Sequence, residues 1–134
     1  GKLLAVTTWT SRQSVQAQLF ADALAAAGAV TPPGTRLAPE LDFDRSGPGL
    51  AALVAEAGLE PVVVEELTWD WRISWDDLWA GISGGVATIG ATYLAQDEPV
   101  RQRVRNELRE RSRALEVDGI IRFPSIAPYV VARA

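Results

Sequence analysis

The chain has 134 residues, 48% hydrophobic and 22% charged, with a net charge of −4. That is enough for one globular domain with a sizeable core, and the acidic balance argues against a general nucleic-acid binder. The absence of cysteine and histidine removes disulfides, thiolate metal sites, and the commonest general base and metal ligand.

Leu3 to Thr8 is mostly apolar on both faces, which predicts a buried parallel strand more than an edge. Trp9-Thr-Ser-Arg follows as a loop, and a helix is expected from about Gln13 to Ala27. Val15, Leu19, Phe20, Ala23, Leu24 and Ala27 form its apolar stripe, and Gly28 stops it. Thr31 to Asp44 lacks periodicity and reads as an irregular connection, with Leu41 and Phe43 as apolar anchors.

An αβ unit comes next. Ser46 caps a short helix with Pro48 in its first turn, and Leu50, Leu53, Val54 and Ala57 share one face. Gly58 ends that helix and Pro61 prevents it resuming. From Glu66 the period becomes two: Leu67, Trp69 and Trp71 alternate with Glu66, Thr68, Asp70 and Arg72. This is a strand with one wet face, as at a sheet edge.

Ser74 and Asp77 have capping-box spacing before a short helix carrying Trp75, Leu78, Trp79 and Ile82. Ser83-Gly-Gly breaks it, and Val86 to Ala95 reads as a second apolar helix. Asp97 caps a long helix with Val100, Val104, Leu108 and Leu115 as its buried stripe and arginines 101, 103, 105, 109, 111 and 113 mostly facing water. Glu107 can pair with Arg103 or Arg111. Asp118-Gly119 is a turn signal. Ile120 to Phe123 is extended, Pro124 interrupts, and Ile126 to Arg133 is a final strand, apolar on both faces and therefore expected inside the sheet. There is no methionine, even at position 1, and the chain opens directly in a strand. It is expected to be the C-terminal piece of a longer protein.

Two features together carry a resemblance. One is the strand Gly-Lys-Leu-Leu-Ala-Val-Thr-Thr-Trp followed by a helix. The other is Leu-Ala-Ala-Leu-Val-Ala-Glu-Ala-Gly-Leu-Glu-Pro-Val-Val-Val, an inserted helical stretch, and a closing strand. Over nearly its whole length the chain resembles the C-terminal half of a class I S-adenosylmethionine-dependent methyltransferase. The resemblance implies an α/β fold, the C-terminal portion of a Rossmann-like sheet. Leu3–Thr8 would be its fifth strand, Val62–Trp71 its sixth, and Tyr129–Ala132 its seventh, antiparallel between the other two. Residues 1–134 would form one C-terminal part of a methyltransferase domain, with a helical substrate lid over about 74–116. The family's glycine-rich cofactor loop and ribose-binding acid are absent. Gly81-Ile-Ser-Gly-Gly follows a helix rather than a strand, and Gly85 to Gly90 is followed by Ala91 where a phosphate loop needs lysine, so neither replaces that loop.

Ligands in open α/β sheets bind beyond the carboxyl ends of the parallel strands. Thr8, Trp9 and Thr10 occupy that position, and an aromatic face attracts a sulfonium by about 0.5–2 kcal/mol. Trp9 is the expected cofactor contact, and Trp9, Thr10, Trp75, Trp79 and Tyr93 are the expected substrate contacts. The plainer reading is that these aromatics are core. Asp76, Asp77 and Tyr93 are the candidates for a general base, although both aspartates also suit a helix start. No acidic cluster suggests a metal.

The implied function is the substrate-binding half of a small-molecule methyltransferase. S-adenosylmethionine would bind in the full-length protein, and the piece alone would be inactive. The implied partners are a small-molecule substrate, the missing N-terminal half, and a second copy through an exposed sheet edge. No apolar run spans a bilayer and no signal pattern opens the chain, so no membrane or nucleic-acid partner is expected, and the location is expected to be cytoplasmic. The rival is a non-catalytic α+β module holding a hydrophobic ligand in a tryptophan-lined pocket.

Overall fold

The computed structural model describes residues 1–10, 14–34 and 38–134. The chain is an α/β protein, and its sheet has four antiparallel strands. In chain order the elements are β1 (Leu3–Thr7), α1 (Val15–Ala26), α2 (Gly47–Glu56), β2 (Glu60–Ser74), α3 (Trp75–Ser83), α4 (Ala87–Leu94), α5 (Glu98–Ser112), β3 (Glu116–Val117) and β4 (Ile120–Arg133). Single 3₁₀ turns occur at Pro39–Leu41 and Arg113–Leu115. The strand order is β1-β4-β2, with β3 paired to β4. The closing strand therefore lies between the first and the second, as its apolar pattern requires.

The chain divides into two compact units. The first comprises Gly1–Ser14, Arg36–Trp69 and Ser125–Ala134. Here β1 runs antiparallel to β4, with Leu3 opposite Arg133 and Thr7 opposite Tyr129. Leu50 and Val54 of α2 bury with Val130 and Ala132 of β4, and Val6, Phe43, Ala51 and Leu59 pack around them. The helix begins as its sequence predicts: the Ser46 hydroxyl accepts from Gly49 N at 3.1 Å. It ends in a Schellman motif, with Leu59 N donating to Val54 O, Gly58 N donating to Ala55 O, and Gly58 at φ +81°.

Several expectations for this unit are corrected. β1 is an edge strand, not a buried one: Leu3 is 66% exposed and Leu4 45%. Its only strand neighbour among the described residues is β4, and of its apolar side chains Val6 alone is half-buried, against the α2–β4 cluster. Leu53 and Leu41 are exposed as well; the buried face of α2 centres on Gly47, Leu50 and Val54 instead. Both faces of β2 are open around Leu67 and Trp69.

Pro124 does not interrupt β4. Ala134 N donates to Lys2 O and Thr8 N donates to Pro128 O, so even-numbered residues of β4 direct their backbone groups to the edge away from β2. Pro124 and Pro128 are both even-numbered, and their missing N–H groups cost no bond to β2.

The second unit comprises Val15–Thr35 and Asp70–Pro124. Its core gathers Ala23 of α1 and Ala27 just past its end, Leu78 and Ile82 of α3, Ile89 of α4, Val104 and Leu108 of α5, and Ile121 and Phe123 of β4. The expected stripes of α1 and α5 supply Ala23, Ala27, Val104 and Leu108, although Val15 is exposed. The predicted start of α1 at Gln13 falls outside the described residues. Gly28 closes that helix at φ +70°, again in a Schellman motif. Asp118 and Gly119 both have positive φ, +51° and +77°. This is the type I′ pattern of a two-residue hairpin, and it joins β3 to β4.

Candidate functional site

Each unit carries a cleft. In the first unit, the end of β1 delivers Thr7, Thr8 and Trp9 to a groove of about 390 Å³ completed by Trp69 and Ala127. The Thr7 hydroxyl donates to Pro128 O at 2.9 Å and Thr8 N donates to the same carbonyl, which ties the strand end to β4. Trp9 is left 71% exposed. Its ring tilts by 37° against that of Trp69, with centroids 6.4 Å apart. Two aromatic faces thus border an open groove, an arrangement suited to a flat or cationic group. Trp69 is a member the sequence reading missed; its alternation in β2 pointed only to a buried face. Thr10 is half-buried and lines neither cleft.

In the second unit, a cleft of about 220 Å³ lies among α1, the end of β2, α3 and the start of α4. Phe20, Trp71, Ile73, Leu78, Ile82 and Ile89 form most of its wall. Trp71 is held by stacking on Phe123 at 5.4 Å and 26°, and Phe20 meets the same ring edge-on at 6.1 Å. Two polar side chains, Gln16 and Asp77, reach this lining. Ser74 orients Asp77: its hydroxyl donates to Asp77 Oδ2 at 2.7 Å and accepts from Asp77 N at 3.1 Å. The capping spacing seen in the sequence therefore also fixes a carboxylate at the cleft. Of the three base candidates, Asp77 lines this cleft and Asp76 and Tyr93 do not.

Gly84-Gly85 folds α4 back on α3, as its composition predicts. Val86 N donates to Gly81 O, Gly85 N donates to Ile82 O, and Gly85 has φ +86°. The packing is close enough that a Cβ on Gly90 would lie 2.5 Å from the Gly85 carbonyl carbon. Ala87, also in the cleft wall, has φ +56°, a strained value for a residue with a side chain.

The aromatics of α3 and α4 form a cluster of their own. Trp75 and Trp79 stack at 5.8 Å and 15°, and Tyr93 meets Trp79 edge-on at 5.1 Å. They line neither cleft. Arg101, Arg105 and Arg109, successive turns of α5, lie over Tyr93, Trp79 and Trp75 at 5.6, 5.4 and 5.2 Å. Arg101 also donates to Leu94 O. Arg103 Nε donates to Ala27 O at 3.0 Å, at the end of α1. As expected, none of the helix's six arginines is buried, and Arg103, Arg105 and Arg113 are exposed; the ring contacts of three of them were not anticipated. Arginine stems and planar heads cover apolar surface that a shorter polar residue would leave wet. Arg111 pairs with Glu107 at 3.3 Å, one of the two pairings anticipated.

Among the described residues no group of acidic side chains could hold a metal, and no helix is long and apolar enough to cross a membrane. Comparison with protein-family models and with curated proteins found no match.

Proposed function

We propose that this chain is the substrate-binding half of an S-adenosylmethionine-dependent methyltransferase acting on a small molecule in the cytoplasm, with the cofactor half lying upstream in a longer protein. The observation that carries the reading is the sheet order. The closing strand β4 is inserted antiparallel between β1 and β2, the arrangement expected for the last three strands of that fold. Trp9 supports it further. It is exposed at the carboxyl end of β1 beside Trp69, where an aromatic face could meet a sulfonium. Methyl transfer is an in-line displacement helped chiefly by positioning and by exclusion of water. An apolar cleft with one oriented carboxylate, Asp77, suits an acceptor that must be held dry and hydrogen-bonded.

Calorimetric titration with S-adenosylhomocysteine tests the reading, using this chain beside a form extended upstream to its natural start. Binding by the extended form alone is expected. Binding by neither would remove the assignment.

The apolar cleft of the second unit also favours a different reading, a non-catalytic module for a hydrophobic ligand. A start codon adjoining Gly1 in the reading frame, with no glycine-rich strand–turn–helix upstream, would select it.

A further inference from the structure

We propose that the cleft of the second unit is a specific site for a small arylalkylamine, its planar ring held against Trp71 over Gly81 and its ammonium held by Asp77. The inference rests on the methyltransferase reading only in making the occupant the acceptor. The chemistry of the occupant follows from the lining.

Size comes first. An apolar cavity of about 150 Å³ holds benzene, and drug-sized sites begin at about 300 Å³. At about 220 Å³ this cleft takes one or two fused rings.

Gly81 is the second observation. It lies in the interior of α3, where alanine is the more favourable residue. A Cβ there would meet no atom within 4 Å, so packing does not require glycine. Gly81 lines the cleft; its missing side chain leaves a flat floor against which a ring can lie.

Charge is the third. Among the described residues, Asp77 is the one charged member of the lining and no basic side chain joins it. A carboxylate offers about four lone-pair sites, and the Ser74 hydroxyl takes one of them. An N–H donor bearing positive charge is the complement; a carboxylate on the ligand would be repelled.

The test uses three probes of one ring system: tryptamine, indole and indole-3-acetate, titrated into the chain without cofactor and followed by calorimetry. Tryptamine is expected to bind tightest, and indole-3-acetate more weakly by at least about tenfold, or 1.4 kcal/mol. Asp77→Asn should shrink that ratio to about twofold or less. Gly81→Leu should abolish binding of all three while the circular dichroism spectrum is kept, and Gly81→Ala should raise the melting temperature. Failure of every probe, equal or tighter binding of indole-3-acetate, or an undiminished charge preference in Asp77→Asn would overturn the proposal. If Gly81→Leu does not fold, the charge series still decides. Probe binding without S-adenosylhomocysteine binding by the extended form would remove the methyltransferase reading alone; the reverse would remove this one alone.

Discussion

Arg109 lies over the Trp75 ring, 5.2 Å from its centroid, and also donates to the Glu116 carboxylate. One guanidinium thus ties α5 both to Trp75 of α3 and to β3. The hydrogen bond from Arg109 is the largest influence holding Glu116 below its ordinary value, while partial desolvation opposes it. A carboxyl whose folded pKa is depressed contributes stability that is fully present above its unfolded pKa of about 4.3, and loses it as pH falls through the folded value. Glu116→Gln should therefore lower stability at neutral pH and flatten the loss seen on acidification below about pH 4.3. Melting temperatures of both forms across that range check it, and parallel curves would disprove it.

The remaining arginines of the ladder should act through their rings. Arg105→Ala removes the cation over Trp79, and a loss of about 0.5–1 kcal/mol is expected at so exposed a site. Arg105→Lys should lose part of it, because lysine keeps the charge without the planar stack. Urea unfolding followed by tryptophan emission measures both, and a neutral alanine variant would contradict the stacking.

Gly90→Ala should be among the most damaging small substitutions in the chain. Its Cβ would lie 2.5 Å from the Gly85 carbonyl carbon and 2.9 Å from Ile82 O, both backbone atoms. Overpacking of this kind costs about 1–3 kcal/mol. Ala87→Gly should do the opposite, relieving the positive φ at that position by about 1 kcal/mol. Thermal unfolding of the pair decides; equal midpoints would mean that the α3–α4 turn is not seated as described.

Thr92 is 1% exposed, and its hydroxyl has no hydrogen-bond partner among the described residues. Thr92→Val keeps the shape and removes the buried polar atom, so a gain of about 1 kcal/mol is expected. A loss instead would reveal a partner for the hydroxyl, such as ordered water.

Leu3 is 66% exposed on an edge strand. Such an edge is a template for pairing with another chain, and a charge blunts it. Leu3→Lys should reduce self-association in sedimentation velocity while leaving unfolding stability unchanged to within about 0.5 kcal/mol. Equal association in both forms would place the contact elsewhere.

Local chemistry was legible in the sequence. Ser46, Ser74 and Asp97 cap the helices they precede. Gly28, Gly58 and Gly85 end helices, and Asp118-Gly119 makes a hairpin. These choices involve neighbours a few residues apart, so residue type alone decides them. The period of apolar residues likewise placed Ala23, Val104 and Leu108 inside. Only the tertiary structure decided which apolar residues find a cover. Leu3 and Leu53 have the right pattern and stay exposed, because burial needs a partner surface that a local pattern cannot see. The same holds for the clefts. Trp69 beside Trp9, and Phe20 and Trp71 beside the Asp77–Gly81 face of α3, are brought together from distant segments. Arg101, Arg105 and Arg109 read as a solvated face until Tyr93, Trp79 and Trp75 are placed beneath them.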